Sequence, residues 1–225
     1  MLRARAVLRK RIREFFDSRS FCEVETPIVS ADVVVDLHLD PLETTVLGRR
    51  MFLQTSPEFG MKRLLATRDA DAPHAIYQIT RAFRDGEHGR LHNPEFTMVE
   101  WYRVGDDLNE GMALLSAFAE TTIARGAPER IAYAEAFERY AGVDSHRASS
   151  EALRDAGLRA GRVPPEGMHR DDRDAWLDWL LVELVEPQLG RGRPTIMYDY
   201  PASQSALARV RADDPPVAER FELYV

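Results

Sequence analysis

Two segments rich in aromatic and β-branched residues, Ala75 to Arg84 and Glu95 to Val104, bracket a loop holding Gly86, Gly89, Asn93 and Pro94. That arrangement predicts a long antiparallel strand pair and commits the chain to a β-sheet at its centre. Successive side chains of a strand point to opposite faces, so Phe96, Met98, Glu100 and Tyr102 share one face of the second strand. On the first strand Gln78, Thr80 and Arg84 share a face opposite Tyr77, Ile79 and Phe83. Pairing the polar faces brings an arginine, a glutamate, a phenol and an aromatic ring into one cleft. Such an arginine can grip a phosphate through two parallel hydrogen bonds, and a carboxylate beside a phenol can hold an ammonium group. The same residues also fit a plain sheet face laced with an Arg–Glu pair, and the pattern alone leaves both readings open.

Around this pair the sequence predicts an α+β chain. Leu8, Ile12, Phe15 and Phe16 recur on one face of a helix over about 3–19. Phe21 to Thr26 reads as a short strand that Pro27 ends, because proline cannot donate to a ladder. Glu43–Val46 and Met51–Gln54 flank Leu47-Gly48-Arg49-Arg50 as a hairpin. Ser56 caps a helix over about 58–67 with Pro57 in its first turn. Asp107, with Glu110 at capping-box spacing, opens a helix whose stripe is Leu108, Met112, Leu115 and Phe118. A helical patch over about 130–192 has its clearest stripe at Trp176, Leu177, Leu180 and Leu184, and Thr195–Tyr200 and Arg220–Val225 read as strands. With no repeat and no flexible linker, one α+β domain carrying a helical insertion is the simplest organisation.

Composition narrows the function classes. The 225 residues hold 30 Lys+Arg against 37 Asp+Glu, a net charge of −7, which argues against a non-specific nucleic-acid binder. A single cysteine, Cys22, excludes a disulfide framework and multi-cysteine zinc modules, and reads as a small buried hydrophobe. No apolar run reaches the ~18 residues of a membrane span, and the Arg-rich start lacks a secretory apolar core, so the expectation is a cytoplasmic protein. Lys10 and Lys62 are the only lysines. The cluster Arg3, Arg5, Arg9, Lys10, Arg11, Arg13 reads as a solvated helix face. His88 and His92 stand four apart, but Gly89 and Pro94 argue against the helix a metal pair needs there, so no metal ligand is assigned.

The stretch Phe83-Arg84 through His92-Asn93-Pro94-Glu95-Phe96-Thr97-Met98 to Glu100-Trp101-Tyr102 resembles motif 2 of the class II lysyl-tRNA synthetases. Arg11 to Pro27, ending Glu23-Val24-Glu25-Thr26-Pro27, is similar to their dimer-forming motif 1. Within that superfamily the likeness is strongest to the short paralogues that attach lysine to elongation factor P. It rests on Thr55-Ser56-Pro57-Glu58 with Met61-Lys62-Arg63-Leu64, Glu100-Trp101-Tyr102-Arg103, Tyr200-Pro201-Ala202-Ser203-Gln204, and Val217-Ala218-Glu219-Arg220-Phe221-Glu222. The resemblance implies an antiparallel sheet flanked by helices, a homodimer through the motif 1 region, and ATP with Mg²⁺. It further implies activation of lysine or β-lysine as an adenylate and transfer to a lysine of elongation factor P. By the same resemblance Arg84 would contact the α-phosphate and the amino-acid carboxylate. Asp85, Gly86, Glu87, His92 and Asn93 would hold the nucleotide, and Phe96 would stack on adenine. Ser56, Pro57 and Glu58 would receive one amino group, and Glu100 with Tyr102 the side-chain ammonium.

The chain departs from the family pattern in two places. Gly86 stands where the family has an acid two residues after the arginine, and Glu87 follows it, so that contact is altered or taken over by Glu87. The family also continues past the position of Val225 into a strand with metal-binding acids and into motif 3. The expectation is therefore a C-terminally truncated catalytic domain over 1–225 with motifs 1 and 2, its Mg²⁺ ligands in the missing part and little activity of its own. The net charge and the absent anticodon-binding barrel argue against tRNA as the acceptor. A tRNA-ligase fragment and a non-catalytic binding module are the alternatives.

Overall fold

The computed structural model describes residues 2–33, 39–67 and 72–225, which form two compact units, Met1–Asp106 and Asp107–Val225. Each is described by itself.

In the first unit, helix α1 (Leu2–Asp17) buries Ile12, Phe15 and Phe16 at its C-terminal end. Leu8, expected in the same stripe, is 40% exposed, because only the last turns of α1 lie on the sheet. Phe16 stacks on Tyr77 with ring centroids 4.5 Å apart and meets Phe21 edge-on at 5.2 Å. The Tyr77 phenol donates to Asp17 Oδ1 (3.0 Å) and Glu23 Oε2 (3.1 Å), so a fully buried ring carries its polar end to satisfied acceptors. Strand β1 is only Cys22–Glu23 and runs parallel to the later strand β5 (Ala75–Phe83), a shorter pairing than the predicted 21–26. After Val24 the chain leaves that edge, and a cavity of about 350 Å³ opens among Arg9, Arg13, Glu25, Thr26, Gln78 and Arg81. Cys22 is exposed rather than buried, since it lies on this short outer strand.

A second small sheet has the order β2–β4–β3, from β2 (Val29–Ser30), β3 (Glu43–Val46) and β4 (Arg49–Leu53). Val46 pairs with Arg49, so the turn is the two residues Leu47-Gly48 and not the four expected. Both have positive φ, +50° and +72°, the combination a tight right-twisted hairpin requires. Helix α2 (Glu58–Ala66) follows. Pro57 holds the N-cap position itself, and Ser56 Oγ accepts from the Glu58 N–H at 3.3 Å. Strand β6 (Glu95–Arg103) pairs with β5 along its whole length in antiparallel register, with Gln78 opposite Glu100, Thr80 opposite Met98 and Ala82 opposite Phe96. The predicted alignment of the polar faces is therefore the observed one.

The second unit opens with α3 (Leu108–Ile123), where Asp107 and Glu110 form the predicted capping box. Met112, Leu114 and Ala119 are its buried residues, while Leu108, Leu115 and Phe118 are half-buried. Strand β7 (Glu129–Ala132) and helices α4 (Tyr133–Ala141), α5 (Ser150–Arg159) and α6 (Arg173–Leu180) follow. A π-helical turn, Leu181–Val185, continues α6. With β8 (Thr195–Pro201), β9 (Val210–Arg211) and β10 (Val217–Tyr224) they build a sheet of order β7–β8–β10–β9. Its β7–β8 pair is parallel and its other pairs are antiparallel. Trp176, Leu177, Leu180 and Leu184 are all buried, in one core with Tyr133, Phe137, Leu153 and Met197. β10 is an inner strand at Val217 and Ala218, which pair on both sides; from Phe221 to Tyr224 its ladder is with β8 alone. Among the described residues no helix is long and apolar enough to cross a membrane.

Candidate active site

All the residues expected to bind nucleotide or amino acid belong to the first unit, on α2, β5, β6 and the loops at their ends. Arg84 follows β5, and its backbone N–H donates to Pro94 O at 2.9 Å, which closes the strand pair at the mouth of the loop. Its side chain is held by three neighbours. Nε donates to Thr55 O (3.3 Å), Nη1 lies 3.3 Å from Glu87 Oε1, and the guanidinium sits 5.1 Å from the centroid of the Phe96 ring. Glu87 thus reaches the arginine, and Gly86 before it has φ +75°, the left-handed region a glycine enters without strain. Asp85 is exposed; its N–H donates to Asp40 O (2.7 Å) and its own carboxylate caps the Gly86 N–H (2.9 Å). His92 and Asn93 are exposed on the loop.

The acidic half of the site is built from α2 and β6. Glu58 opens α2, where a carboxylate is favoured by the helix dipole. Glu100 and Tyr102 are two apart on β6 and so share a face, and the Tyr102 phenol donates to Glu100 Oε1. Burial pushes the Glu100 carboxyl above the usual carboxylate range. The Tyr102 hydrogen bond opposes that rise, the nearby charge of Glu58 adds to it, and Lys62 and Arg84 counter it. Tyr102 is raised beyond the ordinary phenol range by burial and by its bond to Glu100. Glu58, Lys62 and Arg84 therefore all lie close enough to act on Glu100. Pro57 is buried and Ser56 half-buried, and both line a cavity of about 90 Å³ behind the start of α2 with Phe59 and Gly60. Neither this cavity nor the larger one near α1 is lined by Arg84, Glu58 or Glu100.

Several members of the site were missed in sequence. Lys62 Nζ lies 2.5 Å from Glu58 Oε1 and 5.8 Å from the Tyr102 ring centroid. Its position four residues after Glu58 on a predicted helix was the available signal. Thr55 lends its carbonyl to Arg84, while its hydroxyl is buried with no hydrogen-bond partner. Gln54 ties the loop before α2 to β5: its Nε2 donates to Thr80 Oγ1 (3.0 Å) and Arg81 O (2.7 Å), and its backbone carbonyl accepts from Phe83 N–H (2.9 Å). Thr55 belongs to the Thr55-Ser56-Pro57-Glu58 stretch of the family likeness, which attaches no role to it, and no sequence pattern marks Gln54. Among the described residues there is no group of three His, Cys, Asp or Glu side chains able to hold a metal ion. The residues described thus do not fit a Mg²⁺ cage of their own, and no step is assigned to that ion.

The family described as tRNA synthetases class II (D, K and N) matches this chain over residues 1–225. An elongation factor P–(R)-β-lysine ligase of Vibrio vulnificus (strain YJ016) is 43% identical over 232 aligned residues, which cover 99% of the chain and 69% of the relative. The protein of that name from Vibrio cholerae serotype O1 is 42% identical with the same coverage. The one from Proteus mirabilis (strain HI4320) is 41% identical over 219 residues, 95% of the chain and 66% of the relative.

Proposed function

We propose, for a chain that belongs to the class II tRNA synthetases of the D, K and N group and is an ATP-dependent ligase of that type, that it activates (R)-β-lysine and passes it to elongation factor P. The observation that carries this reading is the set of four charged groups in the first unit. The charge of Glu58 acts on Glu100, which sits on β6, and Lys62 and Arg84 act on the same carboxyl. A diamino acid has two ammonium groups and one carboxylate, and this set offers two acidic receptors, Glu58 and Glu100, with Arg84 for the carboxylate and Lys62 as a cation already beside the acids.

In the first step the carboxylate of β-lysine attacks the α-phosphorus of ATP, pyrophosphate leaves, and an acyl adenylate forms. Arg84 neutralises the charge gathering on the phosphate and the carboxylate. One such contact at ~4 Å is on the order of 4 kcal/mol at an effective dielectric near 20. Its fork is aimed in advance by Thr55 O and Glu87, so little reorganisation is needed when the phosphate arrives. Phe96 offers a face to adenine while its ring already supports the guanidinium, a stacking contact of about 1–3 kcal/mol by analogy with base stacking. Glu58 receives one amino group, and Glu100 with Tyr102 the other. Glu100 is a half-buried carboxyl whose ionisation burial opposes, and an incoming ammonium offsets that cost. In the second step the ε-amine of a lysine on elongation factor P attacks the acyl carbon, an amide forms, and AMP leaves. The same reading includes Mg²⁺ with the nucleotide, a homodimer through the Arg11–Pro27 segment, and a cytoplasmic location.

Separate reactions with labelled (R)-β-lysine, ATP, and either elongation factor P or tRNA test the assignment. Label on elongation factor P and none on tRNA is the expected result, at whatever low level this chain turns over. Label on tRNA overturns it, and label on neither with the nucleotide still bound points to a binding module.

A further inference from the structure

Glu58 is not an open receptor in this structure. Lys62 lies one helical turn further along α2, and its ammonium takes Glu58 Oε1 at 2.5 Å. The same ammonium is 5.8 Å from the Tyr102 ring, whose hydroxyl donates to Glu100, so it stands near both carboxylates. Chemically it is the group that ends a lysine substrate. The site thus already holds one alkylammonium of its own beside its two acids.

This placement has a consequence for binding that follows from exposure. The Lys62 side chain is 44% exposed, so it can leave Glu58 for water without uncovering a buried surface. The Glu58 side chain is only 22% exposed, so the lysine is the partner free to move, and a better-held cation at Glu58 can take its place. A neutral side chain arriving at the site offers no replacement charge and leaves Lys62 in place. We propose that Lys62 is a resident counter-ion: it keeps Glu58 and Glu100 together in the ligand-free site and gives up Glu58 to the amino group of the substrate. Lys62 is accordingly a positioning and specificity residue that acts through Glu58. The inference rests on the reading of Glu58 and Glu100 as amino-group receptors.

The chain has only two lysines, Lys10 and Lys62, so a ¹⁵N spectrum of lysine side-chain ammonium groups contains two signals. Lys10 lies on the exposed face of α1, outside the site, and serves as the internal reference. Addition of (R)-β-lysine, or of 1,5-diaminopentane in a separate titration, is expected to move the Lys62 signal and leave that of Lys10 unchanged. Lys62→Met, which keeps a good helix former, assigns the signal and is expected to tighten binding of either ligand by about two- to fivefold. Lys62→Arg, which keeps the pairing charge, is expected to return the affinity to the wild-type value. A Lys62 signal that stays still under both ligands overturns the proposal, as does weaker binding by Lys62→Met. If (R)-β-lysine fails to bind but 1,5-diaminopentane moves Lys62, the amino-acid assignment falls and the counter-ion role stands.

Discussion

Glu100 is the residue at which burial and function pull against each other. Its carboxyl is pushed above the ordinary range by burial, with Glu58 adding to the rise. A carboxyl whose folded value is raised favours the folded state at low pH, where it is protonated. That advantage is lost as pH climbs from about 4, where the unfolded chain releases its proton, through the folded value. Glu100→Gln should therefore raise the melting temperature at neutral pH and leave it nearly unchanged at pH 4, while weakening (R)-β-lysine binding. A lower melting temperature at neutral pH would contradict the cause assigned to the shift. Binding of the ammonium should also release a proton from Glu100 in mildly acidic buffer, which titration calorimetry in buffers of different ionisation heat detects. Arg84→Lys removes the planar fork held by Thr55 and Glu87, and a loss of about 10- to 100-fold in affinity for an acyl-adenylate analogue is expected. Arg84, Glu100 and Tyr102 were legible because strand alternation puts them on one face. Lys62 and Thr55 were not, because a helical Glu–Lys spacing is common on solvated faces and a backbone acceptor leaves no trace in side-chain identity.

At the scale of elements, the turn between β3 and β4 shows where local chemistry was readable and where it was misjudged. Gly48 announced a turn, but Arg49 and Arg50 after it looked like loop residues, although they pair in β4. The cost is that Leu47 is left at φ +50° and 97% exposed, so its side chain contributes no packing there. Leu47→Asn should stabilise the chain by about 0.5–1 kcal/mol in urea unfolding, because asparagine tolerates that region better. The reverse case is Gly157 in α5, where an added Cβ would lie 2.2 Å from the Trp179 ring. Gly157→Ala should destabilise by about 1–3 kcal/mol in the same assay. No sequence period signals that close approach, since it depends on how α5 meets the helix carrying Trp179. The α6 stripe was legible for the opposite reason: Trp176, Leu177, Leu180 and Leu184 fall on one face by spacing alone.

Over the whole chain, what the sequence conveyed was element type and the antiparallel core of the first unit. The parallel pairings, β1 with β5 and β7 with β8, join segments far apart in sequence, and nothing local specifies them. In the second unit β8 and β10 hold its centre, and Ile196, Met197 and Ala218 are fully buried there. Their amide hydrogens should exchange more slowly than those of the two-residue strand β9. The central claim concerns the first unit, that two acids and one arginine recognise a doubly aminated acid joined to a nucleotide. Its most direct measurement is calorimetric binding of a non-hydrolysable (R)-β-lysyl adenylate analogue beside two versions, each lacking one amino group. The account predicts that each deletion weakens binding by about tenfold or more, and that Glu58→Gln and Glu100→Gln each erase the penalty of one deletion. Equal affinity for all three analogues would contradict it.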